Sequence, residues 1–380
     1  MHLLILFWRK LLEVIFRQFP LQDKVVFDNF GGRGMGDDPK YIALELLKRH
    51  SHLRLYWIVS DSCVHVHPDI TPIRLKSFMY YYHVMTAKVL VDNIKHSHHL
   101  QKRAGQYYIQ TWHATVPLKK AEQEVFNLGQ YYIINAVRHA IDTDLMYSDN
   151  DFHKYRFEHS FWYRGTVLKC DVPRISILLN TPKDLNRQVR EHYGLDESLK
   201  IVMYAPTFRG GDGLGPVFWD YHRIIRVLSK RFGCDFVMLL RLHPNLASEA
   251  SCIAYDDTIL NATDYPDMQE LLAISDVLIT DYSSSMFDFG VTGHPVFLYC
   301  EDLDEYSSAD RGLEFSMDKL PFPSARSVDE FEKIINDFSL EKYQIERKAF
   351  YDSIGFVDSG HGSEVIADII EKYCKIGVGQ

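Results

Sequence analysis

Three stretches bring together residue types that can bind a phosphate or accept a proton. In Leu278–Phe289 (LITDYSSSMFDF), the apolar run Val277–Thr280 breaks into Asp281, Tyr282, Ser283, Ser284 and Ser285, then resumes as a helical pattern from Met286 to Val291. A strand, a polar turn and a helix start aim backbone N–H groups, the helix dipole and serine hydroxyls at one place, which is what a phosphate needs. One serine would suffice as an ordinary N-cap; three in a row exceed that need. The second stretch, Tyr107–Thr115 (YYIQTWHAT), reads as a strand through Gln110 with His113 just beyond its end. Ligands of open α/β sheets bind outside the carboxyl ends of strands, and an imidazole there can take a proton from a hydroxyl near neutral pH. A histidine alone is more often structural. In the third, the strand Phe236–Leu240 runs into Arg241-Leu242-His243-Pro244, which puts a second histidine in the same kind of position.

These residues need a scaffold of alternating strands and helices. From Lys24 the chain reads as a strand to Phe27, a loop containing Gly31, Gly32, Gly34 and Gly36, and a helix through Leu47 with Asp38 as its N-cap and Pro39 in its first turn. The glycine loop is similar to a dinucleotide fingerprint but lacks the G-x-G-x-x-G spacing and its downstream acid. Leu55–Val59 and Lys88–Val91 are further strands. Past Tyr163–Arg174, where Pro173 marks a crossing, the alternation repeats. Ile201–Tyr204 is a strand followed by APTFR and a glycine-rich loop through Gly215; Tyr221–Phe232 is a helix, Pro295–Tyr299 a strand, and Phe331–Phe338 and Ser363–Lys372 are amphipathic helices. A chain of 380 residues exceeds one ordinary core, so two α/β domains are expected, 23–175 and 176–380, with the last helix free to pack back on the first.

The net charge of −9 argues against general nucleic-acid binding, yet it is uneven: Arg74 to Lys120 holds eight Lys/Arg against the single acid Asp92, with His83, His96, His98 and His99 in the same window. Such a face is either simply solvated or meets an anionic lipid or polymer. Six cysteines at 63, 170, 234, 252, 300 and 374, with no CxxC, suit a reduced chain without a cysteine zinc site. The first 22 residues, opening MHLLILFWRKLLEVIFRQF, lack a signal-peptide cleavage site, and Arg9, Lys10, Glu13 and Arg17 interrupt any membrane span. On a helical wheel those charges fall within about a 100° sector, leaving the rest apolar, a pattern for a helix lying in a membrane interface or packed on its own domain.

Taken together, YIQTWHAT with the following PLKK, YAPTFR, RLHPN, YPDMQELL, SDVLITDYSSSMFDF and Asp310-Arg311-Gly312 resemble the CDP-glycerol:poly(glycerophosphate) glycerophosphotransferase family, the TagF/TagB-like enzymes of teichoic acid and capsule synthesis. FGGRGMGDDPKYIALELL and HGSEVIADII extend the resemblance over nearly the whole chain after residue 23. It implies a GT-B-like α/β fold, two facing Rossmann-type domains with the active site in the cleft between them. It also implies transfer of a polyol phosphate from CDP-glycerol or CDP-ribitol to an acceptor hydroxyl, with release of CMP. In that reading His113 is the general base on the acceptor, and His243 binds or protonates the donor phosphates. Ser283 and Ser284 contact phosphate, Arg209 and Arg241 lie near the nucleotide, and Pro206, Thr207, Tyr265, Asp281 and Ser285 complete the donor site. Thr111, Thr115, Arg174, Arg311 and Gly312 form the loop and acceptor group. The expected acceptor is a polyol phosphate or a lipid-linked saccharide, and the chain is expected to sit peripherally on the anionic cytoplasmic face of the plasma membrane.

No cofactor or metal is expected, because Asp281 begins the serine turn and Asp288 falls in the helix, so no carboxylates pair for magnesium; the histidine, arginines and helix start would take its place. Ala114 stands where the family usually has glycine, and Asp171–Ser176 matches a G-x-P-R-N-D pattern only in part, which bears on the acceptor. Two other readings share features with this one: a GT-B glycosyltransferase or epimerase using a sugar nucleotide, and a non-enzymatic lectin or scaffold holding anionic polymer.

Overall fold

The computed structural model describes residues 2–60, 65–95, 101–207, 220–243, 250, 253–309 and 312–376. The chain divides into two compact units: Met1–His113 with Glu122–Ser176 and Val357–Gln380, and Ala114–Ala121 with Ile177–Phe356.

Unit 1 contains α1 (His2–Phe16), β1 (Gln22–Asp28), α2 (Asp37–Lys48), β2 (Arg54–Val59), β3 (Thr71–Arg74), α3 (Phe78–Thr86), β4 (Ala87–Asp92), β5 (Tyr107–Gln110), α4 (Gln130–Asp142), β6 (Met146–Ser148), α5 (Asp151–Ser160), β7 (Val167–Lys169) and the start of α6 (Pro173–Leu179). Its main sheet has the order β3-β2-β1-β4-β5, parallel throughout. The strands are buried apolar runs such as Val25-Val26-Phe27 and Val89-Leu90-Val91, as a sheet covered on both faces requires. Register puts Asp28 opposite Asp92 and Asp92 opposite Gln110. Asn29, Asn93 and Thr111, each one residue further, therefore share the carboxyl edge.

Unit 2 contains α7 (Leu185–Tyr193), β8 (Lys200–Ala205), α8 (Tyr221–Phe232), β9 (Phe236–Leu240), β10 (Ile259–Asn261), α9 (Met268–Ile274), β11 (Val277–Thr280), α10 (Ser285–Gly290), β12 (Val296–Tyr299), α11 (Leu303–Ala309), β13 (Ser324–Ala325), α12 (Val328–Asn336) and α13 (Leu340–Ser353). Its sheet runs β10-β9-β8-β11-β12-β13, again parallel. Thr280 pairs with Ala205 on one side and Leu298 on the other, which lines up the loops that leave β8 and β11. The final helix, α14 (Gly362–Ile376), belongs to unit 1, where Arg49 beyond α2 reaches Asp368 at 2.5 Å.

Two details differ from the sequence reading. Asp38 does not cap α2: Gly36 holds the cap position, and the buried Asp38 carboxylate instead accepts the Arg174 N–H (2.7 Å), because a carboxylate taken out of water needs a donor. In α1, Glu13 turns inward beside Leu12 and Phe16, where it meets Lys10 (3.0 Å) and Arg17 (2.9 Å). Phe16 packs edge-on against Phe78 (5.0 Å between ring centres) and Tyr82 (5.4 Å). Trp8, Val14 and Ile15 are left exposed.

Candidate active site

In unit 1 the carboxyl edge of the sheet places His113 two residues past Thr111, after a turn that passes through Trp112 at φ +57°. A bulky residue in that region is strained, and the cost is on the order of 1–3 kcal/mol. The surroundings hold it there. Trp112 N–H donates to Gln110 Oε1 (2.8 Å), Thr111 Oγ1–H donates to the Trp112 carbonyl (2.8 Å), and Thr111 N–H pairs with the Asp92 carbonyl (2.9 Å). The result is an imidazole stacked on Trp112 (4.4 Å, 28°) with Phe30 on its flank (5.4 Å).

His113 Nδ1 lies 2.8 Å from the Asn93 carbonyl. A carbonyl only accepts, so Nδ1 carries the proton, and in the neutral ring the lone pair is on Nε2. Burial holds this histidine below the ordinary imidazole range; the Asn93 carbonyl, Asp37 and Asp92 pull the other way, and Arg174 adds to the lowering. A neutral imidazole with Nε2 unprotonated is the state a general base needs near pH 7.

Arg174 is buried, with Nη1 3.2 Å from Asp37 Oδ1. Thus Thr111, His113 and Arg174 are brought together in unit 1, around Asn93 and Asp37, two residues that sequence reasoning passed over. Asp37 reads in sequence only as the acid before the expected N-cap, whereas in the fold it opens α2. Asn93 was visible only as a polar residue just past an apolar strand, behind Asp92. Thr115 is buried in the 114–121 segment of unit 2, where Lys120 N–H donates to the Gly312 carbonyl (3.0 Å) and Glu314 N–H to the Leu118 carbonyl (2.8 Å).

In unit 2, Asp281 follows β11 and is buried with its carboxylate engaged. Thr207 N–H donates to Oδ1 (3.0 Å), Thr207 Oγ1–H to the same oxygen (2.8 Å), and Tyr282 N–H donates at 2.6 Å. Asp281 thereby fixes the Pro206–Thr207 turn beyond β8. Ser283 Oγ accepts from Ser285 N–H (3.3 Å) and Ser285 Oγ–H (2.8 Å), while Ser284 occupies the N-cap of α10 with no side-chain capping bond. Met286 and Phe287 N–H bond the carbonyls of Ser283 and Ser284. The N–H groups at the start of this six-residue helix are therefore already satisfied, unlike the open N-terminus the sequence suggests. What this turn offers a ligand is its half-exposed edge at Ser283 and Ser284.

Arg241 turns its Nη1 to the carbonyls of Ala262 (2.9 Å) and Tyr265 (2.7 Å), so the guanidinium ties the β10–α9 connection to the end of β9. Burial draws its pKa below the usual guanidinium value, opposed by Asp267, Tyr193 and Asp264. The Tyr265 hydroxyl donates to Glu270 (2.7 Å). His243, two residues past Arg241, is exposed. Arg209 with the glycine-rich loop through Gly215, Arg311, and His96, His98 and His99 lie outside the described residues.

Two Rossmann-like parallel-sheet units, each with a histidine just past a strand's carboxyl end, define a GT-B-like α/β protein. The chain belongs to the CDP-glycerol:poly(glycerophosphate) glycerophosphotransferase family, whose model matches residues 11–372. It is 31% identical over 371 residues to a teichoic acid poly(glycerol phosphate) polymerase of Staphylococcus epidermidis, covering 92% of this chain and 51% of that protein. It is 30% identical to a teichoic acid glycerol-phosphate transferase of Staphylococcus aureus, covering 93% of this chain and 94% of that one. The chain thus spans about half the length of the first relative and nearly all of the second. Among solved structures, the wall teichoic acid polymerase TagF superposes with a TM-score of 0.85 at 30% identity, covering 99% of this chain and 96% of that one. A TagF histidine-to-asparagine variant soaked with CDPG matches with the same TM-score of 0.85 at 30% identity, covering 97% and 94%.

Proposed function

We propose that this chain transfers an alditol phosphate, glycerol phosphate first, from a CDP-activated donor to the hydroxyl of a teichoic-acid-type polymer or lipid-linked precursor, releasing CMP. The observation that carries the reading is the His113 geometry: a neutral imidazole whose Nδ1–H is held by the Asn93 carbonyl and whose Nε2 is the basic atom. In the reaction, Nε2 takes the acceptor hydroxyl proton as its oxygen bonds to the β-phosphorus. The Pβ–O bond to CMP breaks and CMP leaves with the electron pair. His243 and the hydroxyls of Ser283 and Ser284 are assigned to the donor phosphates. The reading is metal-free: Asp281 is engaged by Thr207 and Tyr282, and Asp288 Oδ2 by Gln269 (2.9 Å), so the acids beside the serine turn are committed to the fold.

Family membership and the relatives' names support CDP-glycerol as donor and a glycerol-phosphate chain as acceptor. The exposed Trp8, Val14, Ile15 and Phe19, with Phe78 and Met79 of α3, support a seat in a membrane interface, which we assign to the anionic cytoplasmic face of the plasma membrane. No helix among the described residues is long and apolar enough to cross a membrane.

The test follows release of CMP from CDP-glycerol and CDP-ribitol, and of UDP or UMP from a UDP-sugar, each with polyol-phosphate and lipid-linked saccharide acceptors, with and without EDTA. Release from CDP-glycerol, unchanged by EDTA, is expected. Turnover of the UDP-sugar alone would overturn the assignment, and loss of activity in EDTA would overturn its metal-free form.

A further inference from the structure

We propose that Asn93 is the positioning residue for the acceptor-side histidine: its main-chain carbonyl fixes which nitrogen of His113 carries the proton, and its side-chain amide locks the glycine loop against the same ring. The proposal rests on His113 acting as the base.

Asn93 is the first residue beyond β4 and is fully buried. Its side chain uses its acceptor and both donors. Oδ1 accepts the Phe30 N–H (2.8 Å), and Nδ2 donates to Asn29 Oδ1 (2.8 Å) and Asp37 Oδ2 (2.8 Å). Those partners are the two ends of the loop between β1 and α2. Asn29 in turn holds the Gly34 carbonyl through its own Nδ2 (3.1 Å), and Asp37 meets Arg174 on its other oxygen. The backbone at both ends lies in the left-handed region, Phe30 at φ +47° and Asp37 at φ +55°. A bulky residue such as Phe30 rests there only when neighbours hold it, and Asp37 visits it more readily; Asn93 bonds both.

No other side chain of this size supplies the same pattern. Aspartate has no donor for the Asp37 carboxylate, leucine has neither donor nor acceptor, and glutamine is one methylene too long. The main-chain carbonyl of the same residue is the Nδ1 partner of His113, and Phe30, whose N–H Asn93 binds, flanks the ring. One residue therefore sets both the orientation of the imidazole and the wall beside it.

The amide also sets the charge around the base. The charged groups that act on His113 are Asp37 from α2, Asp92 from β4 and Arg174 from α6. Asn93 is the neutral spacer that pins Asp37 in place. A carboxylate at position 93 would add a negative charge beside the ring and favour the imidazolium, taking the base out of action at a higher pH than in the wild type.

The experiment compares wild type, Asn93→Asp and His113→Asn for kcat, KM and the pH profile of kcat/KM with CDP-glycerol. Imidazole 15N shifts are recorded in parallel, the His113 signals being identified by their absence in His113→Asn. For Asn93→Asp we expect kcat lower by about 10- to 100-fold, donor KM within about twofold, and the acidic limb of the profile moved up by about one pH unit. A folded Asn93→Asp protein with the wild-type acidic limb and wild-type His113 nitrogen shifts overturns the proposal and leaves the base assignment standing. His113→Asn turnover within about tenfold of wild type overturns the base assignment, and the proposal with it. Should Asn93→Asp prove too unstable to purify, the exchange variant Asp37→Asn/Asn93→Asp re-pairs positions 37 and 93 at unchanged net charge, at the cost of the bond to Asn29 Oδ1. Turnover within about tenfold of wild type then supports the clasp, and a folded exchange variant as slow as His113→Asn refutes it.

Discussion

Lys24 Nζ lies 3.2 Å from His83 Nδ1, and both side chains are buried in unit 1. The amine also donates to Thr86 Oγ1 and sits over the Tyr82 ring (4.5 Å), so its neighbours are an imidazole, a hydroxyl and a π face. Burial, reinforced by Arg54, pulls Lys24 down to about 7; burial, Lys24 and Arg54 pull His83 down to about 4.

Both groups therefore prefer to be neutral in the folded chain. Between about pH 4 and 6.5 for His83, and between about 7 and 10.5 for Lys24, the unfolded chain binds more protons, so stability rises with pH across both windows. The Lys24 penalty is fully present below pH 7 and is relieved above it. Thermal melts are expected to climb from pH 7 to about 9.5, below the range where tyrosines ionise. Lys24→Met should flatten that climb and raise Tm at pH 7 by a few degrees, since an apolar side chain replaces a buried cation. A Lys24→Met curve parallel to wild type would remove this account.

His113→Ala should lower kcat by about 10²–10⁴ if, as proposed, Nε2 takes the acceptor proton. The donor KM should change little, because the side chain lies in unit 1 and the assigned donor groups belong to unit 2. Because burial depresses the imidazole pKa, the acidic limb of the wild-type kcat/KM profile should fall below the ordinary histidine range. A limb at or above 6.5 would assign it to another group.

Asp281 and Thr207 join the loops beyond two adjacent strands, and the bond can be weakened in steps. Thr207→Val keeps the shape and removes the 2.8 Å hydroxyl bond, for a loss of about 0.5–1.5 kcal/mol. Asp281→Asn turns a carboxylate that accepts from two N–H groups into an amide with one acceptor, which should cost about 1–3 kcal/mol. If the Pro206–Thr207 turn helps hold the donor, protection against unfolding by CDP-glycerol should weaken in the same order, Thr207→Val before Asp281→Asn. Equal protection in all three proteins would confine this pair to structure.

The strands and the two histidines were legible because a parallel sheet buries continuous apolar runs and sets its polar residues just past their ends: Val277–Thr280 before Asp281, Tyr107–Gln110 before His113. What surrounds them was not. Asn93 meets Asn29 and Asp37 across 64 and 56 residues of sequence, and side-chain amides carry no periodic signal. Asp38 read as a cap because an acid before a helical run usually is one; its real partner, the Arg174 amide, lies 136 residues away. The serine turn was legible as a turn, but its internal hydrogen bonds depend on backbone geometry that residue types alone do not fix.

Helix α1 shows the same limit and leads to a test. Its wheel separates charged from apolar residues without saying which side faces the protein. In the fold, Glu13 goes inside between Lys10 and Arg17, and Phe16 packs against Phe78 and Tyr82. That leaves Trp8 57% and Ile15 43% exposed, beside Val14. Apolar side chains kept in water while an acid is buried are costly unless something covers them, and burying one such side chain is worth about 1.5–3 kcal/mol. The Trp8→Glu/Ile15→Glu variant should fold with a melting temperature close to wild type, because both side chains are exposed. Its binding to vesicles rich in anionic lipid should fall by tenfold or more, and salt should weaken the wild-type binding further by screening Lys10 and its basic neighbours. Unchanged vesicle binding by the folded double variant would move the membrane contact off α1 altogether.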